Sequence, residues 1–347
     1  MDFKKHLTST VAASALLAFA APVSSFAGEA NLGNDKVNVT LGGRIHRSIV
    51  HVDDGYRDSV FQGSGISGNS ELWLAGSGKL TENVTMGTYV RWDVAKQGSS
   101  WSFGSTSGAA ASTNSANTHK YEYIYFKHSS MGTLSIGDME PGADGAFNGH
   151  YGEFAGDAGT AAKDTDITTG SAGAFGGGEI SDFIEALGPG ADENNRVRYD
   201  FPEIAGLAVS ADLEQDGGGS IGVFWSGSVS GLEAQASAGI ENDGGGDELI
   251  GGSIALKHSS GLHVALNLSE KDVDVETTTA TDVENVRVVA GYESNFSSLG
   301  TTNTSIRYLK VDDATGTGDE GKSISIGIHQ SLDSVGGAIV LQYENLS

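Results

Sequence analysis

The residues of this chain best suited to chemistry are its carboxylates. Many sit in glycine-rich stretches: Asp53, Asp54 and Asp58; Asp243, Asp247 and Glu248; Asp272, Asp274 and Glu276; Asp312, Asp313, Asp319 and Glu320. Carboxylates beside loop carbonyls are hard-oxygen ligands, so they could hold a divalent cation, structural Ca²⁺ being the natural choice. Asp243, Asp247 and Glu248 in Glu-Asn-Asp-Gly-Gly-Gly-Asp-Glu (241–248) are the metal candidates, although no stretch has the spacing of an EF-hand loop. The competing reading is a solubilising acidic surface. Other chemistries find little support. With no cysteine there is no thiol nucleophile, disulfide or thiolate metal site. The nine histidines are scattered, and no Gly-x-Ser-x-Gly elbow precedes a helix signal, so no hydrolytic centre is evident. No cofactor other than such a Ca²⁺ is indicated. The net charge is −25, and a chain this acidic is not expected to bind nucleic acid.

The elements that carry these loops are β-strands. From Val37 onward, segments of about ten residues alternate apolar and polar side chains, as transmembrane barrel strands do. Strands are expected at 37–51, 70–80, 83–95, 119–130, 132–139, 196–204, 206–215, 220–230, 232–241, 248–258, 262–271, 284–296, 302–311, 321–331 and 337–346. Val37, Val39, Leu41, Gly43 and Ile45 share one face against Asn38, Thr40, Arg44 and His46. Leu262, Val264, Leu266 and Leu268 share another, as do Ile324, Ile326 and Ile328. Connections alternate between short, plain turns such as Ser-Ser-Gly at 259–261 and longer Asp/Gly-rich loops. An outer-membrane barrel has that asymmetry. A soluble sandwich has the same period, and the two differ in whether the polar face is wetted.

Residues 1–27 lie outside this pattern. Lys4, Lys5 and His6, the apolar run 11–21 and Ser25-Phe26-Ala27 form a secretory signal peptide, cut after Ala27. That segment carries one net positive charge (Asp2, Lys4, Lys5), so its removal takes −25 to about −26. The remaining 28–347 is one barrel domain, with no apolar run long enough for a helical span. Clustered aromatics near strand ends, among them Tyr121, Tyr123, Tyr125, Tyr199, Phe201, Tyr292 and Phe296, are expected in the girdles at the membrane interfaces. Residues 140–195 are too long for a hairpin loop and too poor in strand pattern for wall. In a barrel they can fold into the lumen, with a short helix expected at 179–187.

Three stretches resemble the bacterial general porins of the Rhodobacter-like type. They are Val39-Thr40-Leu41-Gly42-Gly43-Arg44, Gly132-Thr133-Leu134-Ser135-Ile136-Gly137, and Arg196-Val197-Arg198-Tyr199-Asp200-Phe201-Pro202 followed by Gly206-Leu207. The resemblance implies an all-β, antiparallel transmembrane barrel of about sixteen strands with an inward-folded third loop, here 140–195. It implies a homotrimer in the outer membrane, in contact with its lipid, passing small hydrophilic solutes by passive diffusion rather than performing catalysis. It also implies a transverse field, with wall bases Arg44, Arg91, Arg196, Arg198 and Lys79 facing loop acids Glu140, Asp144, Glu153 and Asp157.

Two departures from that pattern stand out. Asp138 occupies the position after the fifth-strand glycine where the family often has arginine, which reverses a charge and tilts the pore toward cations. The chain ends Tyr343-Glu344-Asn345-Leu346-Ser347 without the usual terminal aromatic, and the strand tally is fifteen where bacterial barrels have even counts. Either a strand escapes the pattern or the closing strand is lacking. The rival readings are a solute-specific channel, a secreted Ca²⁺-binding all-β surface protein, and a membrane-embedded hydrolase.

Overall fold

The computed structural model describes residues 30–31, 34, 36–53, 58–63, 70–94, 100–102, 118–152, 166–168, 194–215, 217–242, 244–272, 282–313 and 320–346. The expected signal peptide, the expected helix at 179–187, Glu153, Asp157 and Asp243 all fall outside them.

Side-chain polarity in the strands is inverted relative to a soluble sheet. In Glu320–Leu332, Ile324, Ile326 and Ile328 are exposed while Ser323 and Ser325 have no accessible surface. In Leu262–Asp272, Leu262, Val264, Leu266 and Leu268 are exposed while His263, Ala265, Asn267 and Ser269 are buried. Strand periodicity puts alternate residues on opposite faces, so the apolar phase forms the outer surface and the polar phase the inner one. A sandwich core would do the reverse. Only a lipid exterior makes this arrangement favourable.

The strands form one sixteen-stranded sheet in which every ladder is antiparallel. In order they are β1 (Ala30–Asn31), β2 (Val37–Arg44), β3 (Glu71–Lys79), β4 (Val84–Asp93), β5 (Thr118–His128), β6 (Gly132–Met139), β7 (Asn194–Asp200) and β8 (Leu207–Glu214). They continue with β9 (Gly219–Val229), β10 (Leu232–Asn242), β11 (Glu248–His258), β12 (Leu262–Asp272), β13 (Val283–Ser297), β14 (Gly300–Asp312), β15 (Glu320–Leu332) and β16 (Gly337–Leu346). The two-residue β1, which pairs Ala30 with Leu41 and Asn31 with Thr40, is the strand the alternation did not reveal. It is too short to show a period, and with it the count is even.

The first expected strand also breaks earlier than expected. It ends at Arg44, and Ser48–Asp53 forms a separate hairpin with Asp58–Gly63 in the following loop. A second small ladder pairs Ser100–Ser102 in parallel with Asp166–Thr168.

Short connections lie at one end of the sheet and longer ones at the other, as the sequence predicts. The tight end needs glycine at specific places. Gly261 has φ 98°, and a Cβ there would lie 2.0 Å from the Glu293 carbonyl oxygen, so only glycine turns β11 into β12. The longest described excursion leaves β6 at Glu140 and re-enters at β7.

Candidate functional site

The first part of that excursion, residues 140–152, runs along the inner wall and is held there through its backbone. Arg198 on β7 donates to the carbonyls of Glu140 (3.3 Å) and Pro141 (2.9 Å). The Gly142 amide donates to Asp212 on β8 (2.6 Å) and the Ala143 amide to Ser220 on β9 (2.9 Å). Ser237 and Gln235 on β10 donate to the Ala146 and His150 carbonyls (2.7 and 2.9 Å). On β11, Ser253 accepts from the Gly149 amide (3.2 Å). Asn267 on β12 donates to the Gly149 carbonyl (2.9 Å) and Arg287 on β13 to the Asn148 carbonyl (2.7 Å). Each inner-phase polar side chain thus replaces the water that a buried loop amide or carbonyl would otherwise lack.

Between these contacts Ala143, Ala146 and Phe147 pack on Phe224 and Leu249. The wall makes room with glycine. A Cβ on Gly239 would lie 2.9 Å from that of Ala146, one on Gly251 2.6 Å from Phe147, and one on Gly222 2.4 Å from the Gly142 carbonyl oxygen. The sequence carries that signal as glycines on the inner phase of neighbouring strands, and it was not recognised there.

The expected wall bases separate into two groups. Arg44 and Arg91 lie on β2 and β4 and share one carboxylate, Glu71 on β3, at 2.7 and 3.3 Å. Arg91 also sits 3.7 Å from Asp93 and stacks 4.4 Å above the Tyr121 ring. Arg196 and Arg198 on β7 are on the inner phase too, but they are buried behind the loop rather than lining water, which corrects the sequence expectation. Arg196 pairs with Asp212 and Glu214, both at 2.6 Å, and Arg198 with Asp200 at 2.8 Å. Arg198 anchors the loop's start directly, and Arg196 holds Asp212, which accepts from the Gly142 amide. Lys79 is exposed at the short-turn end of β3, far along the strand from Glu71.

Of the expected loop acids, Glu140 accepts a hydrogen bond from the Tyr121 hydroxyl. Asp144 acts electrostatically on Arg198. Both therefore lie in the lumen.

Two further expectations are corrected. Tyr121, Tyr123 and Tyr125 do not form a girdle; they are buried on the inner phase with Trp73, Ala75, Tyr89 and Met139. Asp138 lies on the outer phase of β6, opposite Glu122, rather than on the lumen face. A one-residue error in phase turns a side chain to the other face.

Residues 9–345 match the model of the Gram-negative porin family. The chain belongs to the Gram-negative porin family. It is an outer-membrane protein that forms a porin channel rather than an enzyme site, which sets aside the secreted Ca²⁺-binding reading. No curated protein matches it. Among solved structures, the outer membrane protein OmpT of Vibrio cholerae covers 91% of this chain and 89% of its own, at 12% identity and TM-score 0.57. The anion-selective porin of Comamonas acidovorans covers 90% of this chain and 89% of its own, at 15% identity and TM-score 0.55. At such identities the likeness is one of fold.

Residues that the sequence reading missed complete this porin's lumen. Arg287 is buried, donating to Asn267 (2.7 Å) as well as to the loop. Arg307 pairs with Glu344 on β16 (2.7 Å). Both sit on the inner phase of clearly alternating strands, which was the available signal. Lys257 pairs with Glu293 (2.7 Å), and Tyr151 lies beside it in the loop, its phenol pushed above the ordinary range by burial. Of the metal candidates, Asp243 lies outside the described residues and Asp247 pairs with Lys271 (3.0 Å); among the described residues no three potential ligands could hold an ion.

Proposed function

We propose that this porin is a general diffusion channel for small hydrophilic solutes and ions, weakly cation-selective, working as a homotrimer of the Rhodobacter-like kind. The observation that carries the charge preference is the imbalance around the pinned loop. Two guanidinium groups, Arg196 and Arg198, meet the carboxylates of Asp200, Asp212 and Glu214, and Asp144 acts electrostatically on Arg198 as well. Arg44 and Arg91 are matched by Glu71 and Asp93 and so contribute little net field. Ionised groups lining a narrow aqueous path select by charge, and salt screens the effect. The acidic loops act in the same direction by concentrating cations at the mouth.

The loop acids Glu140, Asp144, Glu153 and Asp157 are the proposed cation-preferring set, and Arg44 and Arg91 the proposed wall bases. The test is the reversal potential of reconstituted protein across a KCl gradient. Modest potassium preference is expected, and Asp144→Asn should reduce it. Anion preference would refute the charge argument.

The nearest rival is a channel specific for one solute. Saturable flux would support it, whereas flux proportional to concentration supports the general pore.

A further inference from the structure

Every described arginine of the barrel strands holds a carboxylate or a loop carbonyl, and the inner-phase Lys257 and Lys271 each hold a carboxylate. Three lysines at the short-turn end of β2–β5 differ. Lys79 closes β3 on the phase of the inward Trp73 and Ala75. Lys127, near the end of β5, is on the phase of the inward Tyr121, Tyr123 and Tyr125. Thr85 on β4 stands between them, paired with Lys79 on one side and Lys127 on the other. Two strand spacings put the lysine backbones about 10 Å apart, within the joint reach of both side chains. On the other flank Val37 pairs with Gly78, so Lys36 stands beside Lys79 one step further along. The Asn34 side chain accepts from the Lys36 amide (2.9 Å) and fixes the chain there.

All three lysines are exposed, and none has an ion pair among the described residues. Like charges on neighbouring strands repel. The chain has 45 acids against 20 bases, so it does not lack carboxylates to set between them. Of the acids nearby, Asp35 lies outside the described residues and Glu82, in the β3–β4 turn, pairs with none of the three. Asp200 lies beyond Thr133, two strands from Lys127, and is held by Arg198 at 2.8 Å. The charges higher in the lumen are too distant to compensate. Lys79 and Glu71 stand at opposite ends of β3, roughly 26 Å apart, against a screening length of about 8 Å in physiological salt.

We infer that Lys36, Lys79 and Lys127 form an anion-binding subsite at the short-turn mouth of the pore, taking small solutes that carry phosphate or carboxylate groups and enter from that side. Ammonium groups are compact donors that bind such oxygens as point charges, and the Thr85 and Thr133 hydroxyls on the same phase add neutral donors. The subsite requires a water-filled pore but not the cation preference proposed above, because it acts at one mouth whereas a reversal potential reports the whole path.

The test uses the full-length protein in planar bilayers, in dilute KCl, with inorganic pyrophosphate added to one compartment and then to the other. Each wild-type channel should show brief current reductions from one compartment only, and raising the KCl concentration should remove them. Lys79→Gln with Lys127→Gln should raise the blocking concentration roughly tenfold, the sum of two exposed ion pairs near the upper end of their usual strength. Lys322→Gln, on the outer phase of β15, should leave the block unchanged, and Glu82→Gln should strengthen it. The variants alter exposed groups, and the heat-modifiable gel shift confirms that each barrel has folded. No block from either compartment, an equal block from both, or an unaltered block in the folded double variant would overturn the subsite. A conducting channel with anion-preferring reversal potentials would instead defeat the cation preference alone.

Discussion

Arg198 offers the sharpest test of how the lumen is narrowed. Its side chain is 2% accessible and joins β7 to the loop through the Pro141 carbonyl at 2.9 Å, while its other edge holds Asp200 at 2.8 Å. Arg198→Met should therefore have two separable effects. A hydrogen bond from a charged donor is worth about 1.5–3 kcal/mol, so the population with the loop's start released should rise roughly 10- to 150-fold. Leaving the half-buried Asp200 with only the Ser210 hydroxyl as donor should destabilise the barrel by about 1–3 kcal/mol. Adding Asp200→Asn removes the stranded charge but not the lost pin. The double variant should thus regain barrel stability, measured by the temperature of the heat-modifiable gel shift, and keep the loop effect. That effect is read in planar bilayers as more frequent excursions to a higher single-channel conductance. Arg44→Met, which removes a lumen guanidinium held by Glu71 on the adjacent strand, is the reference for charge loss alone. If the folded Arg198→Met protein shows the same current fluctuations as wild type, the loop is not held by this arginine and the reasoning fails.

Other outcomes follow from the same geometry. Glu71→Gln removes the carboxylate shared by Arg44 and Arg91, so the reversal potential in a salt gradient should move toward anions. Gly239→Leu places a side chain where Ala146 Cβ and Phe147 lie, at 2.9 and 3.2 Å from the new Cβ. Overpacking of this kind costs about 1–3 kcal/mol, and altered mean conductance with a still-folded barrel is the expected readout. The Tyr151 phenol is raised above its ordinary value by burial first of all, so it should stay neutral above pH 10, where an exposed tyrosine ionises. The sign follows from proton counting: above about pH 10 the unfolded chain has lost a proton the folded one keeps, so stability falls as pH rises. Difference spectroscopy against Tyr151→Phe checks the titration, and Tyr151→Phe should lose less stability in that range.

The barrel was legible because its signal is repeated many times. Alternation in Leu262–Asp272 or Glu320–Leu332 survives errors at either end, and the short-turn pattern adds independent support. The site was less legible because each assignment hangs on one strand's phase and on what lies beyond it. Arg44 and Arg91 were read on the correct phase and lie where that phase points. Arg196 and Arg198 were read on the correct phase too, yet the loop covers them, and no local pattern on β7 announces a loop folded over it. Asp138 shows the other failure. Its position after a glycine resembled an inner site, but Gly137 pairs with Tyr123 on the inner phase, which sends Asp138 outward. Tyr121, Tyr123 and Tyr125 were misread for a related reason: aromatic type is shared by girdles and lumen walls, and only spacing by two, all on the inner phase, separates them.

The distribution of compensated charge then carries more information than the positions of the arginines. A lumen base already paired with a wall carboxylate, as Arg44 is with Glu71, presents a dipole to a passing ion rather than a full charge. Dipolar fields fall off faster than those of net charges, so the groups in excess dominate at the distance of a solute. In the proposed reading the excess is acidic around Arg196 and Arg198, against a lumen that also carries Arg287, Arg307 and Lys257. Under the proposed cation preference, selectivity in this porin should therefore respond more to neutralising a loop acid such as Asp144 than to removing an arginine paired with a wall carboxylate. Comparing the reversal potentials of Asp144→Asn and Arg44→Met decides the point, since a field set by the arginines would reverse the order of the two effects.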